Sequence, residues 1–145
     1  MPSRSQWSEK AAASLQGRDL LVCATRLIGA DPNLVLWGSR NSSIKVTMPD
    51  HRDRETDVLW IKGTGSDKLT IIPSHFIPLR MDDLVLLKDW LAITDEEMVG
   101  YQARRVLQPS SPNPSIETLL HAFIPAPYVY HTHADFDLCF DRRLG

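Results

Sequence analysis

The chain has 145 residues, 43% of them hydrophobic and 23% charged, with a formal net charge of -2. This is enough chain for one domain with a real core. The near-neutral balance, with neither a Lys/Arg run nor an acidic tail, argues against nucleic acid as a partner. No apolar stretch approaches the roughly 20 residues needed to cross a bilayer, and Met1 to Gln6 is polar rather than leader-like. Cys23 and Cys139 are far apart in sequence, so the expectation is a cytoplasmic protein with reduced thiols and no membrane partner.

In chain order, residues 18–28 place Leu20, Leu21, Ala24, Leu27 and Ile28 at helical spacing, with Gly29 as a stop signal. Asp31-Pro32-Asn33 predicts a turn. The run Leu34-Val35-Leu36-Trp37 suits a buried strand, residues 38–43 a polar loop and residues 44–48 a second strand. A charged hairpin loop is expected over 49–57 and a third strand over 58–61, followed by the small-residue loop Lys62-Gly63-Thr64-Gly65-Ser66-Asp67. Ile71-Ile72 and residues 76–79 read as short strands around Pro73, and residues 82–90 as a helix. Thr94-Asp95-Glu96-Glu97 has the spacing of a capping box, opening a helix to about Leu107. After a Pro/Ser-rich loop, Asn113 caps a helix that carries Pro114 in its first turn and continues through Phe123. Pro125 and Pro127 end it, and residues 128–133 form a strand. Alternating strands and helices predict an α/β or α+β layer fold.

Three groups of residues suggest chemistry. On a strand, His131 and His133 project to one face, where two imidazoles can share zinc or another late divalent metal; they also suit an ordinary surface. Glu117 and His121 lie four apart, on one face of a helix. Glu117 can ligate a metal or accept a proton, or simply favour the helix N-terminus; His121 reads as a packed, hydrogen-bonded side chain. Finally, the loops at 38–43 and 62–66 carry small and hydroxyl residues through which backbone N–H groups can approach an anion. Ser115, at a helix N-terminus, can join them. No GxGxxG follows a strand, so a dinucleotide-binding domain is not expected in these residues.

Taken together and in order, Leu34-Val35-Leu36-Trp37-Gly38, Asn41-Ser42-Ser43-Ile44-Lys45, Lys62-Gly63-Thr64-Gly65-Ser66-Asp67, Ser115 through Phe123 and His131-Thr132-His133-Ala134-Asp135 resemble the class II aldolase/adducin N-terminal domain family. The motifs are most similar to those of the aldolase part of bifunctional rhamnulose-1-phosphate aldolase/alcohol dehydrogenases. The resemblance implies a three-layer αβα fold, with a central, mostly antiparallel sheet and helices on both sides. It places an N-terminal extension at 1–17, the domain at 18–135 and an atypical tail at 136–145.

For function, the resemblance implies a zinc-dependent lyase that splits a ketose 1-phosphate into dihydroxyacetone phosphate and an aldehyde. It assigns His131, His133 and Glu117 to the metal, Glu117 also to proton movement, and Asn41, Thr64, Gly65 and Ser115 to the substrate phosphate. A homo-oligomer is implied too. A non-catalytic, adducin-like assembly role and a remnant without function are the competing readings. Two departures stand out. Ser39 and Arg40 occupy a loop that is glycine-rich in the family, where Arg40 either aids phosphate binding or blocks backbone approach. No histidine follows His133 to match the family's third ligand, and the residue pattern changes after Asp135. The expectation is therefore a C-terminally incomplete domain with weak metal affinity and little activity of its own.

Overall fold

The computed structural model describes residues 5–32, 34, 41–89, 92–108 and 112–132. Two helices come first: α1 (Glu9–Ala12), capped by the Ser8 hydroxyl, and α2 (Gly17–Ala30). Then follow β1 (Ser42–Pro49), β2 (Glu55–Lys62), β3 (Phe76–Arg80), α3 (Met81–Val85), α4 (Asp95–Ala103), α5 (Thr118–Phe123) and β4 (Tyr128–Tyr130). The strands form one antiparallel sheet in the order β3-β2-β1-β4. The fold is α/β with helices on both sheet faces, as expected.

The alternation of β2 explains the layers. Val58 and Trp60 face α2 and pack with Leu21, Val22, Ile44, Ile71 and Phe76, while Leu59 and Ile61 face the other way and pack with Leu79, Leu84 and Ala122. Both faces of this central strand are covered, so residues 58–62 are buried without interruption. The polar-apolar alternation of a half-solvated strand is absent for that reason. Arg18 of α2 stacks its guanidinium 3.9 Å from the Trp60 ring centroid, adding a cation–π contact to the apolar seam. The Thr25 hydroxyl, 2.7 Å from Ser42 Oγ, pins α2 to β1 in the buried layer.

Several boundaries differ from the sequence expectation, each for a local reason. Gly29 does not stop α2, which runs on to Ala30. A Cβ at Gly29 would lie 2.7 Å from Lys68 Cβ and 2.9 Å from the Lys68 carbonyl carbon, so this glycine serves close packing. Ser42 and Ser43 belong to β1 instead of a loop, and the two strands leave only residues 50–54 as the hairpin turn. In that turn the Asp50 carboxylate accepts the Arg52 and Arg54 backbone N–H groups, which holds its pKa well below the usual carboxylate range. Ile71 is buried against α2 without forming a strand, its carbonyl accepting from Arg26 Nε at 2.8 Å. The helix expected over 82–90 tightens to a 3-10 turn at Leu86–Asp89.

The capping box at Thr94 forms as the sequence predicts, with the Glu97 N–H on Thr94 Oγ1 and the Thr94 N–H on Glu97. The helix stops at Ala103 because the chain beyond it is taken up by the sheet: Val106 bridges Leu79, and the Leu107 N–H donates to the Pro78 carbonyl. Proline is tolerated in β3 at such a position, since only its carbonyl is asked to bond on that edge. Val35, Leu36 and Trp37 of the expected first strand, and the 136–145 tail, lie outside the described residues. No helix among the described residues is long and apolar enough to cross a membrane.

Two helical glycines, Gly29 and Gly100, separate packing from propensity. A methyl group placed on Gly100 in α4 would have no heavy atom closer than 3.9 Å. Gly100→Ala is therefore expected to stabilise the protein by about 0.5–1 kcal/mol through helix propensity. Gly29→Ala is expected to destabilise it by about 1–3 kcal/mol, because the methyl meets the Lys68 backbone. Urea unfolding of both variants checks this; equal effects of the same sign would contradict it.

Candidate functional site

The site lies where the start of β1, the turn into α5 and the end of β4 meet. Asn41, immediately before β1, is 5% exposed. Its side-chain amide donates to Ser115 Oγ at 2.6 Å and to Glu117 Oε2 at 2.5 Å. Its backbone carbonyl accepts the His131 N–H at 2.8 Å.

The Ser115–Thr118 segment is a turn rather than the start of the expected helix. Pro114 pairs with Gly63 in a bridge across to the end of β2, and Ser115 Oγ accepts the Glu117 N–H at 3.2 Å. The Ser115 carbonyl takes both the N–H and the hydroxyl of Thr118. This local bonding competes with helical bonding, so α5 begins only at Thr118 and Glu117 is its N-cap. Ser115 thus lies ahead of the helix and not in its first turn. The i, i+4 relation between Glu117 and His121 survives, with the His121 N–H on the Glu117 carbonyl.

His131 follows β4, which ends at Tyr130 instead of running through 133. Its Nδ1 is 3.0 Å from Glu117 Oε2, and its backbone carbonyl accepts from Lys68 Nζ at 3.2 Å. His133 lies outside the described residues. The two-residue strand periodicity that pairs the histidines therefore has no described strand beneath it at 131 and 132.

His121 is fully buried, and its Nδ1 lies 2.7 Å from Ser43 Oγ on β1, which matches the packed, hydrogen-bonded side chain expected from sequence. It also belongs to the site, because one ligand atom from each of Glu117, His121 and His131 lies within 4.8 Å of the others. The i, i+4 spacing with Glu117 is the sequence signal for this, and a packing role alone overlooks it. Two buried lysines carry no sequence signal of their own. Lys68 supports His131, and Lys62 donates to the Gly63 carbonyl at 3.3 Å. Burial lowers the Lys62 pKa, opposed by the charges of Asp67 and Glu117.

Of the residues assigned to phosphate, Asn41 and Ser115 are in direct contact, and both are buried. Thr64 and Gly65 are exposed; Thr64 bonds through N–H and hydroxyl to the Asn113 carbonyl, two residues before Ser115. Gly65 sits at φ 79°, a left-handed turn conformation natural to glycine. The two loops thus run side by side.

The donors suit a divalent cation. Two imidazoles and a carboxylate are ligands for zinc and similar metals. The buried Nε2 of His121 has no hydrogen-bond partner among the described residues. Burial pushes the Glu117 carboxyl up, but the Asn41 amide bond together with His131 and His121 outweighs it, and its pKa is lowered overall. Burial brings the His121 imidazole down from 6.5 to about 4, against the pull of Glu117. Both groups are therefore in their ligating forms at neutral pH, Glu117 ionised and His121 neutral.

The same burial makes the metal-free protein sensitive to acid. In the unfolded chain His121 takes up a proton below about pH 6.5, and in the folded chain only below about 4. Between those values the unfolded state binds more protons, so stability falls as pH falls, by up to about 3 kcal/mol from this residue. Thermal unfolding of chelator-treated protein should show a falling midpoint across that window. A midpoint flat from pH 6.5 to 4 would contradict it.

The chain is similar to known proteins. Residues 19–141 match the Class II Aldolase and Adducin N-terminal domain family. A solved structure, the N-terminal Class II Aldolase domain of a conserved protein from Thermoplasma acidophilum, is 42% identical with a TM-score of 0.85. The match covers 92% of this chain and 61% of that one. The uncharacterized oxidoreductase YuxG of Bacillus subtilis (strain 168) is 44% identical over 128 residues. That alignment takes in 88% of this chain but 19% of YuxG, so the chain spans about a fifth of that relative's length. The chain belongs to the class II aldolase and adducin N-terminal domain family.

Proposed function

We propose that this domain is a divalent-metal-dependent lyase, cleaving a ketose 1-phosphate to dihydroxyacetone phosphate and an aldehyde. The observation that carries the reading is the convergence of Glu117, His121 and His131 next to the buried Asn41–Ser115 pair. A metal-ligand set thereby adjoins residues suited to holding an oxyanion. Zinc is the proposed metal, held by His131, His133 and Glu117. Asn41, Thr64, Gly65 and Ser115 are proposed to hold the phosphate. A cytoplasmic, homo-oligomeric protein is part of the same reading. The oxidoreductase name of YuxG belongs to a protein about five times longer than the aligned region and does not bear on these residues.

Retro-aldol cleavage removes the proton of the C4 hydroxyl and breaks the C3–C4 bond. The aldehyde departs, and the three-carbon fragment takes up a proton at C3. Glu117 is the group proposed to move these protons, because it is ionised at neutral pH and half-buried beside the proposed phosphate-binding pair. A bound divalent cation supplies Lewis-acid polarisation of the ketose oxygens. The Asn41 amide and Ser115 hydroxyl already bond each other and are only redirected when phosphate arrives. Phosphate contacts far from the reacting carbons then contribute positioning.

The adducin-like assembly reading is disfavoured by the buried Nε2 of His121, which has no hydrogen-bond partner among the described residues and which a purely structural domain has no reason to keep. The test is retro-aldol turnover of ketose 1-phosphates by zinc-loaded protein. Activity should disappear with a chelator and return with zinc. Glu117→Gln should lower kcat about 100- to 10,000-fold with the fold intact. Chelator-resistant cleavage, or a Glu117→Gln enzyme of near-normal kcat, would overturn the proposal.

A further inference from the structure

His121 is not among the proposed zinc ligands His131, His133 and Glu117, yet its surroundings are those of a ligand. The side chain is fully buried. Its Nε2 has no hydrogen-bond partner among the described residues, which is costly for a buried polar atom and calls for an explanation such as a bound ion. The ring cannot relieve this by turning over, because Nδ1 is held 2.7 Å from Ser43 Oγ. Ser43 is itself fully buried in β1, opposite Ile61. With Nδ1 taken, Nε2 is the nitrogen left for a further partner, and His121 shares its neighbourhood with Glu117 and His131.

We infer that His121 is a metal ligand: its Nε2 joins Glu117 and His131 on one divalent cation, and Ser43 is the positioning residue that fixes the ring. Ligating histidines characteristically donate their second nitrogen's proton to an oxygen, which sets the tautomer and directs the lone pair. An Nδ1–H bond to Ser43 Oγ leaves the Nε2 lone pair free in this way. Donor atoms about 2.0–2.1 Å from a tetrahedral metal lie roughly 3.3 Å apart. One ligand atom from each of Glu117, His121 and His131 lies within 4.8 Å of the others. His131 Nδ1 and Glu117 Oε2 already lie 3.0 Å apart. The inference rests on the divalent-metal reading and adds to it a ligand from α5, inside the domain.

The test uses the protein with isotopically labelled histidine, loaded with cadmium, whose nuclear spin couples to a nitrogen only through a direct bond. A cadmium–nitrogen coupling at His121 Nε2 is expected. Ser43→Ala, which keeps the histidine and removes its orienting partner, is expected to weaken cadmium affinity about 10- to 100-fold, with an unchanged circular dichroism spectrum. Cadmium coupled to His131 but not to His121 overturns this inference and leaves the metal reading standing. Failure of the folded wild-type protein to bind cadmium or zinc overturns both.

Discussion

Asn41 is the constraint on which the site depends. It is a buried residue that makes three hydrogen bonds to segments distant in sequence: Ser115, Glu117 and the backbone of His131. A buried amide must find partners or lose more than a typical hydrogen bond contributes. Satisfying Asn41 therefore brings the start of β1, the cap of α5 and the end of β4 together. The carboxylate and the imidazole meet where the Asn41 amide holds Glu117 and the Asn41 backbone carbonyl holds the His131 N–H.

The rest of the fold holds this junction from both sides. On one face, Gly29 lets Lys68 lie against α2, and Lys68 in turn bonds the carbonyl of His131. On the other, Lys45 of β1 reaches the carbonyls of Ile124 and Ala126 at the end of α5, and Ser43 holds His121. Successive residues of β1 alternate between these tasks: Ser42 serves α2, and Ser43 and Lys45 serve α5. A one-residue slip of β1 would exchange the two sets, so the strand register that packs the core also aims the donors.

What is legible in the sequence follows physical locality. Helix α2, strands β1 to β3 and the Thr94 cap are readable because each is decided by residues a few positions apart. The end of α4, the start of α5 and the absence of a strand at Ile71 are not. They are settled by Val106 pairing with Leu79, by Pro114 pairing with Gly63, and by Arg26 capturing the Ile71 carbonyl, all long-range partners invisible to local propensity. At the site, Glu117 and His131 stand out in the sequence and the structure brings them together, whereas Thr64 and Gly65 stand at the exposed edge. His121 is undervalued by sequence because a histidine on an apolar helix face reads as core; only the folded chain reveals that Nδ1 is held by Ser43 while Nε2 has no partner among the described residues.

The role of Asn41 is tested most directly by the zinc dissociation constant of Asn41→Ala, read by competition with a chromophoric chelator on protein whose circular dichroism matches the wild type. If the Asn41 amide is what holds Glu117 in place, affinity should fall about 10- to 100-fold, as for other outer partners of metal ligands. An affinity within about twofold of the wild type, well short of that loss, would mean that the donors assemble without Asn41 and would contradict its central role.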